Sequence, residues 1–262
     1  MSGIYGQENI WRELNFLISD IQAGRGRKNI LLLAPSGYGK TIFAKVFLFR
    51  AYETFQAIIP TAQGELPEFF CKEILVDEVH LVARLEPLYP LMDSGEYAFV
   101  FTSNVYGELP EAFLRRCIIF QFSPYSEEEL IAILGDNLVE EGVSFPTEIL
   151  RWIVKNCKPA PGYITNISQR LGYVCRNSFI PDSVEEVNEL FSSLFGIKNG
   201  LDLQDQAYLE ALKSLGGLAS LDRISLYSSL PKGSIQRNIE PFLISRGLIK
   251  ISSKGRQYVG GF

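Results

Sequence analysis

The stretch that decides the fold runs from Asn29 to Tyr52, NILLLAPSGYGKTIFAKVFLFRAY. It opens on an unbroken apolar run, Asn29–Ala34, the pattern of a strand buried on both faces of a parallel sheet. A loop with two glycines follows, and then a segment that reads as a helix. Residues 34–41, Ala-Pro-Ser-Gly-Tyr-Gly-Lys-Thr, fit the spacing of a phosphate-binding loop, with Ala34 in place of its first glycine. Such a loop needs backbone N–H groups aimed at anionic oxygens, here around Gly37, Tyr38 and Gly39. It also needs a point charge on the β- and γ-phosphates, Lys40, and a hydroxyl for Mg²⁺, Thr41. The helix that follows adds the partial positive charge of its N-terminus. With strand, loop and helix in this order, a chance glycine-rich turn is a poor explanation.

Working outward, three more apolar runs read as strands that end in polar residues. Residues 73–76 (EILV) end in Asp77-Glu78, residues 97–102 (YAFVFT) in Ser103-Asn104, and residues 117–122 (CIIFQF) lead to Ser123-Pro124. Strands alternating with helices imply a parallel α/β sheet, and such sheets place their ligand crevice at the strand ends. Asp77, 37 residues after Lys40, can hold Mg²⁺ through water, and Glu78 is placed to orient or deprotonate an attacking water. Asn104 can reach the γ-phosphate or that water; otherwise it is a satisfied turn residue. Arg115-Arg116 could carry an arginine finger into a neighbouring subunit, with Arg116 preferred, or be a solvated basic pair.

Beyond Pro124 the pattern changes. Residues 126–141, 146–156, 164–176 and 183–195 read as helices. Residues 203–215, 219–229 and 232–246 follow as three more, and a hairpin around Ser253–Gly255 closes the chain. Three helices and a terminal hairpin suggest a winged-helix module. The organisation expected is a core over residues 1–122, a helical lid over 123–195 and a winged helix over 196–262.

Composition narrows the class. Hydrophobic residues make up 47% and charged residues 21%, which excludes a mostly disordered chain, a collagen-like chain and a small disulfide scaffold. The unbroken apolar runs are far shorter than the ~20 residues of a helical membrane span, so no membrane association is expected. The four cysteines form no C-x-x-C pair and there is one histidine, His80, so no zinc site is expected. His80 reads as a packed or hydrogen-bonded side chain. The N-terminal residues lack a basic region followed by an apolar one, and reduced thiols in a cytoplasmic protein are expected. The net charge of −5 is unevenly spread: residues 197–262 hold 9 basic and 5 acidic residues, and residues 1–196 hold 16 and 25. The basic end suits nucleic acid. Lys250, Lys254 and Arg256 on the hairpin could contact phosphates, which position without reading sequence, or could be ordinary surface charges.

The phosphate loop, Asp77-Glu78, Asn104 and Arg115-Arg116, in this order and followed by a helical lid, resemble the AAA+ ATPases. Within them the chain resembles RuvB, the branch-migration motors, through Asp77-Glu-Val-His80, Leu88-Tyr-Pro90, Met92-Asp93 and Ser123–Leu130. The tail carries the most specific similarity, in Ile239–Leu248 and Ser253-Lys-Gly-Arg256. The resemblance implies an AAA+ P-loop NTPase core with helical lid and C-terminal winged-helix domain. It also implies ATP and Mg²⁺ as cofactors and a homo-oligomeric, hexameric ring that moves duplex DNA at a four-way junction. Ile4–Asn9 resembles the family's adenine-flanking segment; Tyr5 and Tyr125 either flank the base or pack as core aromatics. The chain departs from the family in three places. Only Ser94–Tyr97 stand where RuvB carries the β-hairpin that docks RuvA, so a RuvA-type partner is not expected. Thr165, or Arg170, stands in for the sensor-2 arginine. The segment before Asp77 is short, as suits a pared-down relative of a phage or mobile element. Two other readings stay open, a clamp- or helicase-loader and a DNA-binding regulator with a degenerate ATPase.

Overall fold

The computed structural model describes residues 5–105 and 107–260. Those through Glu129, together with Ala160–Gly162, form one compact unit, and Leu130–Pro159 with the residues from Tyr163 onward form a second.

The first unit contains α1 (Glu8–Gln22), β1 (Ile30–Leu33), α2 (Lys40–Tyr52), β2 (Gln56–Ile58) and β3 (Glu73–Val76). It continues with α3 (Tyr89–Asp93), β4 (Ala98–Ser103), α4 (Glu111–Leu114) and β5 (Ile118–Gln121). The strands form one parallel sheet in the order β2-β3-β4-β1-β5. Every residue of β1 and β4 is buried, because helices cover both faces. Alternate residues therefore enter different cores. Ile30 and Leu32 join Leu14, Phe43 and Phe47, whereas Leu31 and Leu33 join Val76, Phe99, Phe101 and Phe113. Four of the five strands are those expected from the apolar runs. The edge strand β2 is the addition, three residues of which only Ile58 is buried. Between α3 and β4 the chain has only Ser94–Tyr97.

Helix α5 (Glu127–Glu140) begins in the first unit. The second continues with α6 (Thr147–Lys155), α7 (Pro161–Asn177, whose first two residues belong to the first unit) and α8 (Val184–Leu190). Then come α9 (Leu203–Ser214), β6 (Leu218–Ala219), α10 (Leu221–Ser228), α11 (Lys232–Ser234), α12 (Glu240–Ser245), β7 (Ile249–Ser252) and β8 (Gly255–Tyr258). Strands β6-β8-β7 make an antiparallel sheet. It packs with α9, α10 and α12 around Tyr208, Leu212, Ile224, Ile239 and Leu243. This is the expected winged helix. No helix among the described residues is long and apolar enough to cross a membrane.

The start of α9 is held by charge. Asp202 accepts the N–H groups of Gln204 and Asp205, and Asp205 accepts that of Asp202, a reciprocal cap. Lys158 lies 2.6 Å from Asp202 Oδ2 and 3.0 Å from Asp205 Oδ1. Burial, the largest influence, pushes the Asp205 carboxyl up to about 7; Lys158 pulls it down and Asp202 pushes it up. Its ordinary value is 3.8. The stability tied to the protonated form is complete below that value and is lost as pH rises through about 7. Asp205→Asn keeps an acceptor for the Asp202 N–H and cannot ionise. Its melting temperature should gain on the parent's as pH rises from about 4 to about 8, the interval in which the parent carboxyl ionises. Thermal melts at three pH values check this, and a constant offset at every pH would refute it.

Candidate functional site

The carboxyl ends of β1, β3 and β4, three neighbouring strands, each release a polar segment on the same edge of the sheet. After β1 comes the loop Ala34–Gly39, with Gly37 and Gly39 in the left-handed region at φ 80° and 84°. A side chain at either would be strained, so glycine is what lets the backbone make this turn. Lys40 opens α2. Its ammonium is buried and donates to the carbonyls of Ala34 (2.9 Å) and Pro35 (3.1 Å). Burial lowers its pKa, against the opposing pull of Glu78 and Asp77. The ammonium thus sits on the loop that would wrap a phosphate.

Asp77 and Glu78 follow β3. Asp77 accepts from the Thr41 hydroxyl at 2.9 and 3.0 Å, which brings the two expected Mg²⁺ residues together. It also accepts from Thr102 Oγ1 at 2.5 Å. Thr102 in turn accepts the backbone N–H of Glu78 at 2.9 Å. Glu78 stands at φ 55°, ψ 51°, a left-handed conformation rare for a side chain of this size. The Thr102 hydroxyl is one of the contacts that hold it there. Thr102 is fully buried, and the sequence reading passed over it in favour of its neighbour Asn104. Asn104 follows directly after β4. Its Oδ1 is buried and accepts no hydrogen bond among the described residues. A buried acceptor of this kind calls for a donor.

The nucleotide-flanking aromatics divide. Tyr125 is buried, meets Tyr38 edge-on with ring centroids 5.6 Å apart, and donates to the Tyr38 carbonyl at 3.0 Å. Burial pushes its phenol up to about 12. It therefore clamps the phosphate loop. Tyr5 is half-buried. Gln7, which the sequence reading missed, exchanges two hydrogen bonds with the Ser123 backbone, at 2.7 and 2.8 Å, and so ties the Tyr5 segment to the approach to Tyr125. Ile4, the start of the expected adenine-flanking segment, lies outside the described residues.

In the segment expected to replace sensor 2, Gly162 meets the phosphate loop: its N–H donates to the Gly37 carbonyl at 2.7 Å. A Cβ at Gly162 would lie 3.0 Å from the Gly37 Cα. The Thr165 hydroxyl is engaged by Asn137 at 3.0 Å, and the Arg170 guanidinium lies 4.0 Å over the Phe195 ring. Arg116, the expected finger, is engaged within its own unit. Its guanidinium donates to both oxygens of Asp93 (3.0–3.1 Å) and to the Ala112 carbonyl (2.6 Å), and lies 4.6 Å over the Tyr89 ring. Arg115 is the exposed member of the pair and carries a surface ion pair with Glu111.

In the second unit, Lys250 and Lys254 are exposed on the hairpin. Arg256 is not. Its side chain is 17% exposed and donates to Glu240 at 2.8 and 3.3 Å, while Tyr208 donates to the same carboxylate at 3.1 Å. Its charge is spent neutralising a buried carboxylate, so two of the three wing cations remain available to a phosphate backbone.

Removing the Arg256 guanidinium would leave Glu240 buried and unpaired. Arg256→Ala should cost about 3–5 kcal/mol in a denaturant melt. Lys254→Ala should leave stability within about 0.5 kcal/mol. Thr102→Val keeps the shape but deprives Asp77 of a donor and the Glu78 N–H of its acceptor. It should cost about 1–3 kcal/mol in a denaturant melt.

Comparison with known proteins bears on the whole arrangement. Residues 198–259 match the model of the RuvB C-terminal winged helix domain. The chain is 26% identical to the Holliday junction branch migration complex subunit RuvB of Mycoplasma pneumoniae, over 93% of this chain and 89% of that protein. It is likewise 26% identical to the RuvB of Campylobacter jejuni strain 81-176, over 97% and 86%. The solved Thermotoga maritima RuvB Holliday junction branch migration motor superposes with a TM-score of 0.83 at 18% identity, over 97% of this chain and 92% of that one. That likeness concerns the fold, an AAA+ core followed by a winged helix. Together with the winged-helix match and the sequence relatives, it makes this chain a divergent RuvB-like protein.

Proposed function

We propose that this protein is an ATP-driven DNA motor that translocates duplex DNA and drives branch migration of Holliday junctions. The observation that carries the reading is the convergence of Lys40, Thr41, Asp77, Glu78 and Asn104 at three adjacent strand ends, in a chain that ends in a winged helix. The relatives named above, as branch-migration subunits, support it. The division into an ATPase core over 1–122, a lid over 123–195 and a winged helix over 196–262 belongs to the same proposal. So do a homo-oligomeric, hexameric ring, a cytoplasmic location and the lack of a RuvA-type partner at the short Ser94–Tyr97 link.

ATP and Mg²⁺ suit the donor set. A hydroxyl and a carboxylate already meet at Thr41 and Asp77, a lysine lies on a left-handed glycine loop, and the buried Asn104 Oδ1 lacks a donor among the described residues. Thr41 and Asp77 would hold the metal, which would supply Lewis-acid charge to the phosphates. Lys40 neutralises charge on those phosphates. Glu78 accepts the proton of the attacking water, and Asn104 Oδ1 takes a hydrogen bond from the same water and so orients it. Tyr5 and Tyr125 would border the base, and the hold of Tyr125 on the Tyr38 carbonyl supports that reading. An arginine from the Arg115-Arg116 pair would serve the neighbouring subunit; Arg116 does so only by leaving Asp93. Lys250 and Lys254 would contact the DNA backbone, with Arg256 shaping the hairpin beneath them.

Glu78→Gln should bind ATP and lose hydrolysis and junction dissociation by ~10² or more, the scale of losing a general base. ATPase and four-way-junction assays on parent and variant test this. Full turnover by the variant would overturn the assignment of Glu78. ATPase activity without junction dissociation would favour a loader.

A further inference from the structure

His80 is the chain's single histidine and its side chain is almost wholly buried, 4% exposed. Its Nε2 lies 3.4 Å from Glu78 Oε2 and its Nδ1 lies 3.3 Å from Ser103 Oγ. Ser103 is itself fully buried, on the last residue of β4, directly before Asn104. The Ser103 hydroxyl donates its one proton to the Val105 carbonyl at 2.7 Å and accepts the Val105 N–H at 3.1 Å. With that proton committed, Ser103 Oγ can meet His80 Nδ1 only as an acceptor, so Nδ1 carries hydrogen. Ser103 thus fixes the imidazole ring, and its other nitrogen faces the Glu78 carboxylate, to which it can donate only as the doubly protonated imidazolium.

From this geometry we propose that His80 is a positioning residue for hydrolysis: as the imidazolium, with hydrogen on both ring nitrogens, it holds Oε2 of Glu78 and, through Ser103, sets that carboxylate in register with Asn104. The proposal rests on the assignment of Glu78 and Asn104 to one water, made above. Those two groups come from different strands, β3 and β4, and a water gripped by both needs their separation held to a fraction of an ångström. Glu78 is partly exposed, with a side chain that can swing, on a backbone already held in an uncommon conformation. The Thr102 hydroxyl anchors its main chain. His80 is the group placed to anchor its carboxylate, leaving Oε1 for the water. Misplacement of a catalytic group by about 1 Å costs ~10²-fold in rate, while nucleotide affinity, set by Lys40 and the glycine loop, is left alone.

Two substitutions separate this role from simple packing. His80→Gln can present an amide N–H near the Nε2 position, within reach of Glu78. His80→Asn presents one near Nδ1, toward Ser103, and falls short of Glu78. In the assembled full-length protein with DNA, His80→Asn should lower kcat by ~10²-fold with the Kd for ATP unchanged within about twofold. His80→Gln should recover at least about a tenth of the parent kcat. Equal loss in both variants, or kcat near the parent's in His80→Asn, would overturn the proposal. If either variant melts far below the parent, Ser103→Ala decides. It cuts the link to β4, and an unchanged kcat would overturn the proposal, while a fall of about tenfold or more with ATP binding intact would support it. Glu78→Gln run alongside keeps the two failures apart. If it hydrolyses ATP, the assignment of Glu78 falls; if it is inactive while His80→Asn is not, only the role of His80 falls.

Discussion

The Asp77 carboxylate accepts hydrogen bonds from two hydroxyls, Thr41 at the start of α2 and Thr102 near the end of β4. Three segments far apart in the chain meet on this one anion. Each bond to a charged group contributes about 1.5–3 kcal/mol net, and each would cost at least as much if its buried partner were left alone. The arrangement is possible because β1, β3 and β4 are neighbours, β1 and β4 buried throughout and β3 from Ile74 onward, so polar side chains emerge only at their ends. Thr102 and Ser103 are the buried exceptions, and both are spent on the site: Thr102 on Asp77 and the Glu78 N–H, Ser103 on His80 and the Val105 backbone. The sheet therefore defines the edge that carries the candidate site, and the hydroxyls behind it give that edge its geometry.

A second buried carboxylate organises the other end of the chain. Glu240 lies in the winged helix with Tyr208 and Arg256 as its partners. The wing is thereby fixed to α9 and α12, and its exposed charge is reduced to Lys250 and Lys254. The basic excess of residues 197–262 persists after such pairing, since each pair removes one base and one acid. Arg256 neutralises Glu240, and Lys232 pairs with Asp222.

Much of this was legible because the pattern was local. Apolar runs of four to six residues gave four of the five sheet strands, and glycine spacing with Lys40-Thr41 located the phosphate loop. Strand β2 was missed because it is three residues at an edge, with a single buried side chain. Helix α7 starts at Pro161, earlier than the apolar spacing suggests, because proline is at ease in a first helical turn and Gly162 finds its acceptor in the phosphate loop. Thr102 and Gln7 carried no signal at all: a threonine in an apolar run and a glutamine near a terminus look ordinary until their partners are known.

By itself the sequence determined the order of parts, the parallel sheet, the phosphate loop, the paired acids and the terminal winged helix, since each follows from residue type and spacing within one segment. Only the tertiary structure decided which of those residues are free to act. It committed Arg256 to Glu240 and Arg116 to Asp93, brought Gly162 to the phosphate loop, engaged Thr165 with Asn137 and Arg170 with Phe195, and set His80 between Glu78 and Ser103. The reason is that a charge or a hydroxyl is spent on whichever partner burial brings within about 3 Å. That partner is a long-range neighbour, and spacing along the chain does not record it.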